Sequence, residues 1–258
     1  MYALAWITDA IYSNLISGGA YFRIIKALAV TVIITVAAWV IAMVLGMILS
    51  YMTCYEKKIV SGIGRGLCFV LRSVPVLLTI WLLYYVPAFG ISIPAVAASA
   101  LGIGLYGAGS YSEILTRSAR REMEGYSEGI KRSLKRAHFT AVVPEAVENS
   151  LFEIKRLTIL MLQMTSLAGY IGTGELVNVM RTIGHKNMYP FFSIFFCMVL
   201  YLVAAAIIEA IFNKIIVRVN KRKENEQLEE DKQKDQKDGK EGKAEDVKEE
   251  SGEVKKEG

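Results

Sequence analysis

Metal ligands are scarce in this 258-residue chain. It has two histidines, His138 and His185, and three cysteines, Cys54, Cys68 and Cys197, at unrelated spacings. So few, so far apart, they make neither a disulfide framework nor a zinc site, and a histidine-based triad lacks its parts. There is no GxxxxGK[ST] phosphate loop, so a nucleotide-hydrolysing site of that kind belongs on another polypeptide. Neither lysine nor arginine precedes Arg23, so the charged start of a cleavable signal peptide is missing. Charge of either sign is also absent from long stretches, and those stretches define the molecule.

A bilayer core of ~30 Å takes roughly 20 apolar residues in a helix. The run from Ala27 to Tyr51 holds no charge, and a second, Leu67 to Phe89, carries only Arg72 near one end. A third, Pro94 to Leu115, is rich in alanine and glycine and uncharged until Glu113. Leu157–Gly174 and Met188–Ile208 are the fourth and fifth. Mean hydropathy of +0.35 fits, because it survives a very polar end of the chain. The reading is an all-α membrane protein with five transmembrane helices.

An odd number of crossings puts the termini on opposite faces, and basic residues mark the inner one. One side holds Lys57, Lys58 and Arg65, then nine basic residues from Arg117 to Arg156, then a cluster just after Ile208. The other has Arg23, Lys26, Arg181 and Lys186. The N-terminus is therefore expected outside. Within residues 1–20, Leu4, Ile7, Ile11 and Leu15 recur at helical spacing with Asp9, Ser13 and Asn14 elsewhere on the wheel. That pattern predicts an amphipathic helix on the outer surface, broken at Gly18-Gly19. Residues 21–220 form the membrane domain. From Lys221 to Gly258 there are 11 Lys/Arg, 14 Asp/Glu and four aliphatic residues. With so little to bury, this cytoplasmic tail is expected to be disordered. The basic residues lie between apolar runs rather than on one patch, which excludes a nucleic-acid partner.

The inner loop from Thr116 to Arg156 is too long for a hairpin and too short for a domain. It contains helix-like pieces around Glu122–Arg136 and Pro144–Glu153, with Gly125 and Pro144 as punctuation. Such a loop either docks a soluble partner or is a solvated, positively charged connection. Within the spans, Arg72 and Glu113 form an intramembrane ion pair or snorkel separately to the interface. The stretch TSLAGYIGTGEL, Thr165–Leu176, crowds hydroxyls and small residues onto the end of the fourth helix. Small residues allow close helix packing, and a path needs them for the same reason. Gln163 is the polar side chain best placed on that helix to touch a solute.

Four stretches, in order, resemble the permease subunits of ATP-binding-cassette importers, in the five-helix branch that takes up polar amino acids. RSVPVLLTIWLLYY (Arg72–Tyr85) is similar to the family's Arg-small-x-Pro motif. SEILTRSARREMEGYSEG (Ser112–Gly129) keeps its Glu-Ile and Gly-x-x-Glu, and VVPEA (Val142–Ala146) resembles its Leu-Pro-x-Ala. TSLAGYIGTGEL resembles Thr-Ser-Leu-Ala…Ile-Gly-x-x-Glu-Leu. The likeness spans about Tyr21 to Arg222. Departures are Gly129 and Ile130 in place of alanines, a Glu128–Pro144 separation about three residues short, and Gln163-Met164 where Lys-Asp is common.

The resemblance implies that the third-to-fourth connection is a coupling helix docking on an ATPase, through Gly125, Glu128, Lys131, Arg132 and Pro144. On the residues alone, Glu128 is equally a carboxylate favouring a helix N-terminus. The substrate path would run along Gln163, Thr165, Ser166, Gly169 and Gly172. No cofactor is implied in this chain, since ATP and magnesium would sit on the ATPase. The implied partners are two ATPase subunits, an extracytoplasmic solute-binding protein, a second permease chain, a small polar solute and membrane lipid. The setting implied is a prokaryotic plasma membrane. A non-transporting scaffold that recruits soluble proteins is the alternative. A membrane-embedded enzyme would need more converging His, Asp, Glu or Ser than Glu113, Thr165 and Ser166 supply.

Overall fold

The computed structural model describes residues 8–55, 57–86, 92–123 and 143–253; side chains are described as far as residue 225 and at 228 and 229. The described residues are almost all helical, with no strand among them, and they group into two units, Met1–Phe212 and Asn213–Gly258. We label the helices α1 (Ala20–Cys54), α2 (Lys58–Ser73), α3 (Val76–Tyr85), α4 (Ala95–Met123), α5 (Val143–Asn149), α6 (Leu151–Met164), α7 (Leu176–Lys186) and α8 (Pro190–Glu253). A 3₁₀ segment, Thr165–Ile171, continues α6.

α1 is turned inside out by the standards of a soluble protein. Its buried side is small or hydroxylated, with Thr31, Thr35, Ala38, Ala42, Gly46 and Ser50, while Ile33, Val36, Val40 and Val44 stand about half exposed. A soluble fold would not leave such an apolar stripe uncovered, whereas lipid covers it at no cost. The buried hydroxyls cap carbonyls one turn back, Thr31 to Ala27, Thr35 to Thr31 and Thr53 to Leu49, so no donor is left without a partner on that face.

The spacing Ala38–Ala42–Gly46 repeats every four residues, one stripe of the helix, and α4 answers with Gly104, Gly107 and Ala108. The backbones touch. A methyl group at position 46 would come within 2.8 Å of the Tyr111 ring, and one at 107 within 2.8 Å of Ala42 Cβ. Around this pair lies the main core, where Ile34, Ile80, Ile103, Leu115 and Met161 are fully buried. A second cluster joins the start of α1 (Ala20, Ile24, Ala27) to Leu176, Met180 and Ile183 of α7 and Cys197 of α8.

Two expectations change here. The run Leu67–Phe89 is not one helix, because α2 and α3 meet at 93°. Pro75 is the cause: it has no N–H to donate and pushes Val74 into extended backbone (φ −78°, ψ 128°). The described part of the N-terminal segment, from residue 8, is not a simple amphipathic helix either; Leu4 and Ile7 lie outside the described residues. Residues 12–16 form a π turn, and Gly18 and Gly19 both take left-handed φ (61° and 70°) to turn into α1. Asn14, assigned to the polar side of that helix, is fully buried, accepting from Ser193 Oγ at 3.0 Å and donating to the Ala10 carbonyl. One-dimensional periodicity cannot see α8 arriving on that face.

Two helical stretches, Thr8–Cys54 and Pro190–Asn225, are long and apolar enough to cross a membrane, and the bent α2–α3 pair makes up to three. α4 runs on past the expected boundary at Leu115 to Met123, so the first part of the predicted inner loop is a continuation of that helix. The second helix-like piece is divided by Ser150 into α5 and the beginning of α6. The tail differs too. Expected to lack order, it is helical in backbone to Glu253. Lysine, glutamate and glutamine are strong helix formers, and opposite charges three and four apart in sequence support such a helix.

Candidate functional site at the ends of helix α6

The TSLAGYIGTGEL stretch begins where α6 tightens from α to 3₁₀ geometry at Thr165. The hydroxyls explain the change. Thr165 Oγ1 donates to Leu162 O at 2.7 Å and Ser166 Oγ to Gln163 O at 2.8 Å, both three residues back. Gly172 ends the turn in the left-handed region (φ 76°), which a side chain disfavours. The chain then reverses into α7.

Glu175 organises that reversal, and the sequence reading did not select it. Its carboxylate caps α7, accepting from the Val177 N–H at 2.6 Å and the Asn178 N–H at 2.8 Å. It is fully buried beneath Gly169, where a methyl group would lie 2.7 Å from Oε1. The next amide, Leu176 N–H, donates to Thr31 Oγ1 in the middle of α1 at 3.1 Å. Glu175 lies in the connection between the 3₁₀ segment and α7, and burial pushes its carboxyl up to about 7. The two amides and Arg181 pull the other way without offsetting it. A single acid ending a small-residue, uncharged run was the available signal.

The path residues expected from the sequence divide. Thr165 is fully buried and shares a 3.1 Å hydrogen bond with Tyr201 of α8, tying the end of α6 to α8. Gly169 makes room for Glu175, and Gly172 terminates the turn. In this chain Thr165 is buried, Gly169 half-buried and Gly172 exposed. Gln163 is exposed and Ser166 half-buried, and both line a cavity of about 490 Å³ with Arg181, Tyr201, Met180 and Met198. Gln163 also lines a second cavity of about 640 Å³, which continues along α6 to Arg156, Glu153 and Arg117. One side chain thus stands between two adjoining hollows.

At the other end of α6 the charges form a network. Arg72 of α2 ion-pairs with Glu113 of α4. Arg117 takes the other carboxylate oxygen at 2.9 Å and reaches Glu153 of α6 at 3.7 Å. Lys155, whose side chain is 8% exposed, pairs with Glu209 of α8 at 3.2 Å, a link unseen in the sequence because its halves are 54 residues apart. Pro144 is exposed in the first turn of α5, with Val143 and Ala146 buried beside it. Gly125, Glu128, Lys131 and Arg132 lie outside the described residues. Among the described residues no group of three or more His, Cys, Asp or Glu is placed to hold a metal.

Residues 42–222 match the model of the binding-protein-dependent transport system inner membrane component family. The chain belongs to that family. The permease is similar in fold to a crystal structure of an amino acid ABC transporter with histidines. That match has a TM-score of 0.62 at 19% identity and covers 76% of this chain and 94% of the other. It is also similar to an inward-facing structure of the MetNI methionine ABC transporter. The TM-score there is 0.61 at 16% identity, with 79% and 99% covered. No curated protein sequence matches the permease. The four motifs therefore pointed to the right family, of transport permeases rather than catalytic subunits.

Proposed function

We propose that this permease pairs with a second permease chain, identical or homologous, to form an alternating-access path for a polar amino acid or similar small solute. Two cytoplasmic ATPases drive it, and an extracytoplasmic binding protein delivers the solute. Five crossings with the N-terminus outside suit the structure: α1, the bent α2–α3 pair, α4, α6 with its 3₁₀ extension, and α8. At ~1.5 Å per residue, the 29 residues of α4 exceed the ~30 Å needed.

The observation that carries the proposal is Gln163, bordering both the 490 Å³ and the 640 Å³ hollows on α6. Neither hollow is enclosed by this chain, and a second chain laid against α6 would close them into one path. Arg181 at one end and Tyr201 beside it would orient a carboxylate- or amide-bearing solute, with Met180 and Met198 as adaptable walls. The segment around Gly125 would be the handle that ATPase closure pulls.

Purification from the native membrane tests this. A cassette ATPase and a permease chain should co-purify with it, and the isolated chain should hydrolyse no ATP. Recovery without any ATPase would overturn the proposal in favour of a scaffold. In reconstituted vesicles Gln163→Leu should slow solute uptake while leaving the complex assembled. A thiol introduced by Gly125→Cys should be labelled from the inner face only.

A further inference from the structure

We propose that the permease binds the phosphate group of an anionic phospholipid in a cavity between the ends of α1, α2 and α4. The cavity measures about 500 Å³, and five arginines line it: Arg65, Arg72, Arg117, Arg120 and Arg121. Glu113 is the single carboxylate among its described lining residues, and it already serves both Arg72 and Arg117. The lining therefore carries five positive charges against one negative, and Glu153, 3.7 Å from Arg117 just beyond it, brings the local balance to +3. Concentrating that much like charge in one hollow between helices is unfavourable unless something neutralises it.

The hollow is built rather than incidental. Gly109 of α4 sits under Arg72, where a methyl group would lie 2.9 Å from Arg72 Cγ and 3.1 Å from the Cys68 carbonyl. Gly64 brings α2 equally close to α1, with Met52 Cβ 3.0 Å from where its Cβ would be. Without these two contacts the arginine-bearing face of α2 could not close against α1 and α4. That face is Arg65, Cys68 and Arg72, spaced three and four residues apart. At the base, Cys68 and Ser112 are in contact at 3.3 Å and Thr116 donates to Ser50 at 3.4 Å, so the floor is hydroxylated and buried. Guanidiniums are the donor set for phosphate oxygens, and the hydroxylated floor keeps the seat polar.

Apolar surface beside the cavity favours a lipid over a soluble phosphate. On the other faces of α2, Ile63, Phe69 and Val70 are 57%, 65% and 51% exposed. They offer acyl chains a wall next to a headgroup seat. Basic pockets between membrane helices on the cytoplasmic side recognise anionic headgroups in this way. The proposal rests on the inner-face assignment of Arg65 and Arg117–Arg121, and not on what the permease transports.

Native mass spectrometry of the purified full chain, titrated with phosphatidylglycerol, diphosphatidylglycerol or phosphatidylcholine, tests it. The anionic lipids should bind at least roughly tenfold more tightly than phosphatidylcholine. The variant Arg65→Gln/Arg120→Gln/Arg121→Gln, which spares the Arg72–Glu113 pair, should lose that preference by roughly tenfold or more, since each arginine near a charged surface contributes about that order. A control removing equal charge from α8, Lys214→Gln/Arg218→Gln/Lys221→Gln, should keep it. Equal binding of all three lipids, or equal loss in the control, overturns the proposal. So does inorganic phosphate at millimolar concentration displacing the lipid completely, which would make the site one for a soluble anion. Lipid binding is read without transport, so a failed uptake assay and a failed lipid assay remain separate results.

Discussion

The carboxylate of Glu175 fits beneath Gly169, and nothing larger than glycine would fit there. A methyl group at 169 would lie 2.7 Å from Oε1 and 3.2 Å from Asn178 Cβ. Gly169→Ala should therefore displace the cap of α7 and weaken the hydrogen bonds from Val177 and Asn178. The expected cost is on the order of 1–3 kcal/mol, read as a lowered melting temperature in detergent. Gly174→Ala is the comparison, because a methyl group there meets nothing within 4 Å. Equal destabilisation by both would contradict the cap argument.

The same carboxylate gives the permease a pH dependence. Its pKa is raised to about 7 in the folded chain from an ordinary value of 4.5. A carboxyl whose folded pKa is raised holds its proton more tightly when folded. Its stabilisation is thus full below about pH 4.5 and is lost as pH rises through 7. The difference across that window is on the order of 3 kcal/mol. Thermal stability should be higher at pH 5.5 than at pH 8.5, and Glu175→Gln should flatten the difference. An unchanged slope in that variant would show that another group is responsible.

Glu113 serves two arginines, so its loss should exceed the loss of either. Glu113→Gln leaves Arg72 and Arg117 facing each other, whereas Arg72→Gln leaves Glu113 paired with Arg117. The side chains are 36% to 48% exposed, so the difference should be about 1 kcal/mol and should shrink in high salt. Reversing Arg72 and Glu113 together should rescue only in part, since an arginine at 113 meets Arg117 one turn away. Melting curves of the three variants at low and high salt decide it.

Pro75 makes the bend between α2 and α3. In Pro75→Ala, an unbroken helix would separate the Val70 and Leu82 backbones by ~18 Å, more than the 93° arrangement allows. Spin labels at those two exposed positions should move apart by several ångströms. No change would mean that packing against α4, not the proline, holds the angle.

Tyr111 is 2% exposed, and its hydroxyl has no hydrogen-bond partner among the described residues. Its ring, pressed against Gly46, does the packing. Tyr111→Phe should leave stability unchanged or raise it by about 1 kcal/mol, because a buried polar atom is removed without a cavity. A clear loss of stability would reveal a partner for that oxygen.

The amino-acid order by itself determined that this is a helical membrane protein of the transport-permease family. Apolar run length and local motif spacing are one-dimensional quantities, and the exclusion of polar backbone from lipid makes them decisive. It also marked Gly18-Gly19 and Gly172 as breaks, because glycine acts on its own backbone, but it read straight through Pro75. Only the tertiary structure decided what the side chains face. Asn14 moved from an imagined surface to a buried contact with Ser193, and Thr165 was found bonded to Tyr201. Glu175 moved from the edge of a motif to the centre of a junction. Each depends on a segment far away in the chain arriving within ~3 Å, and no local periodicity encodes that arrival.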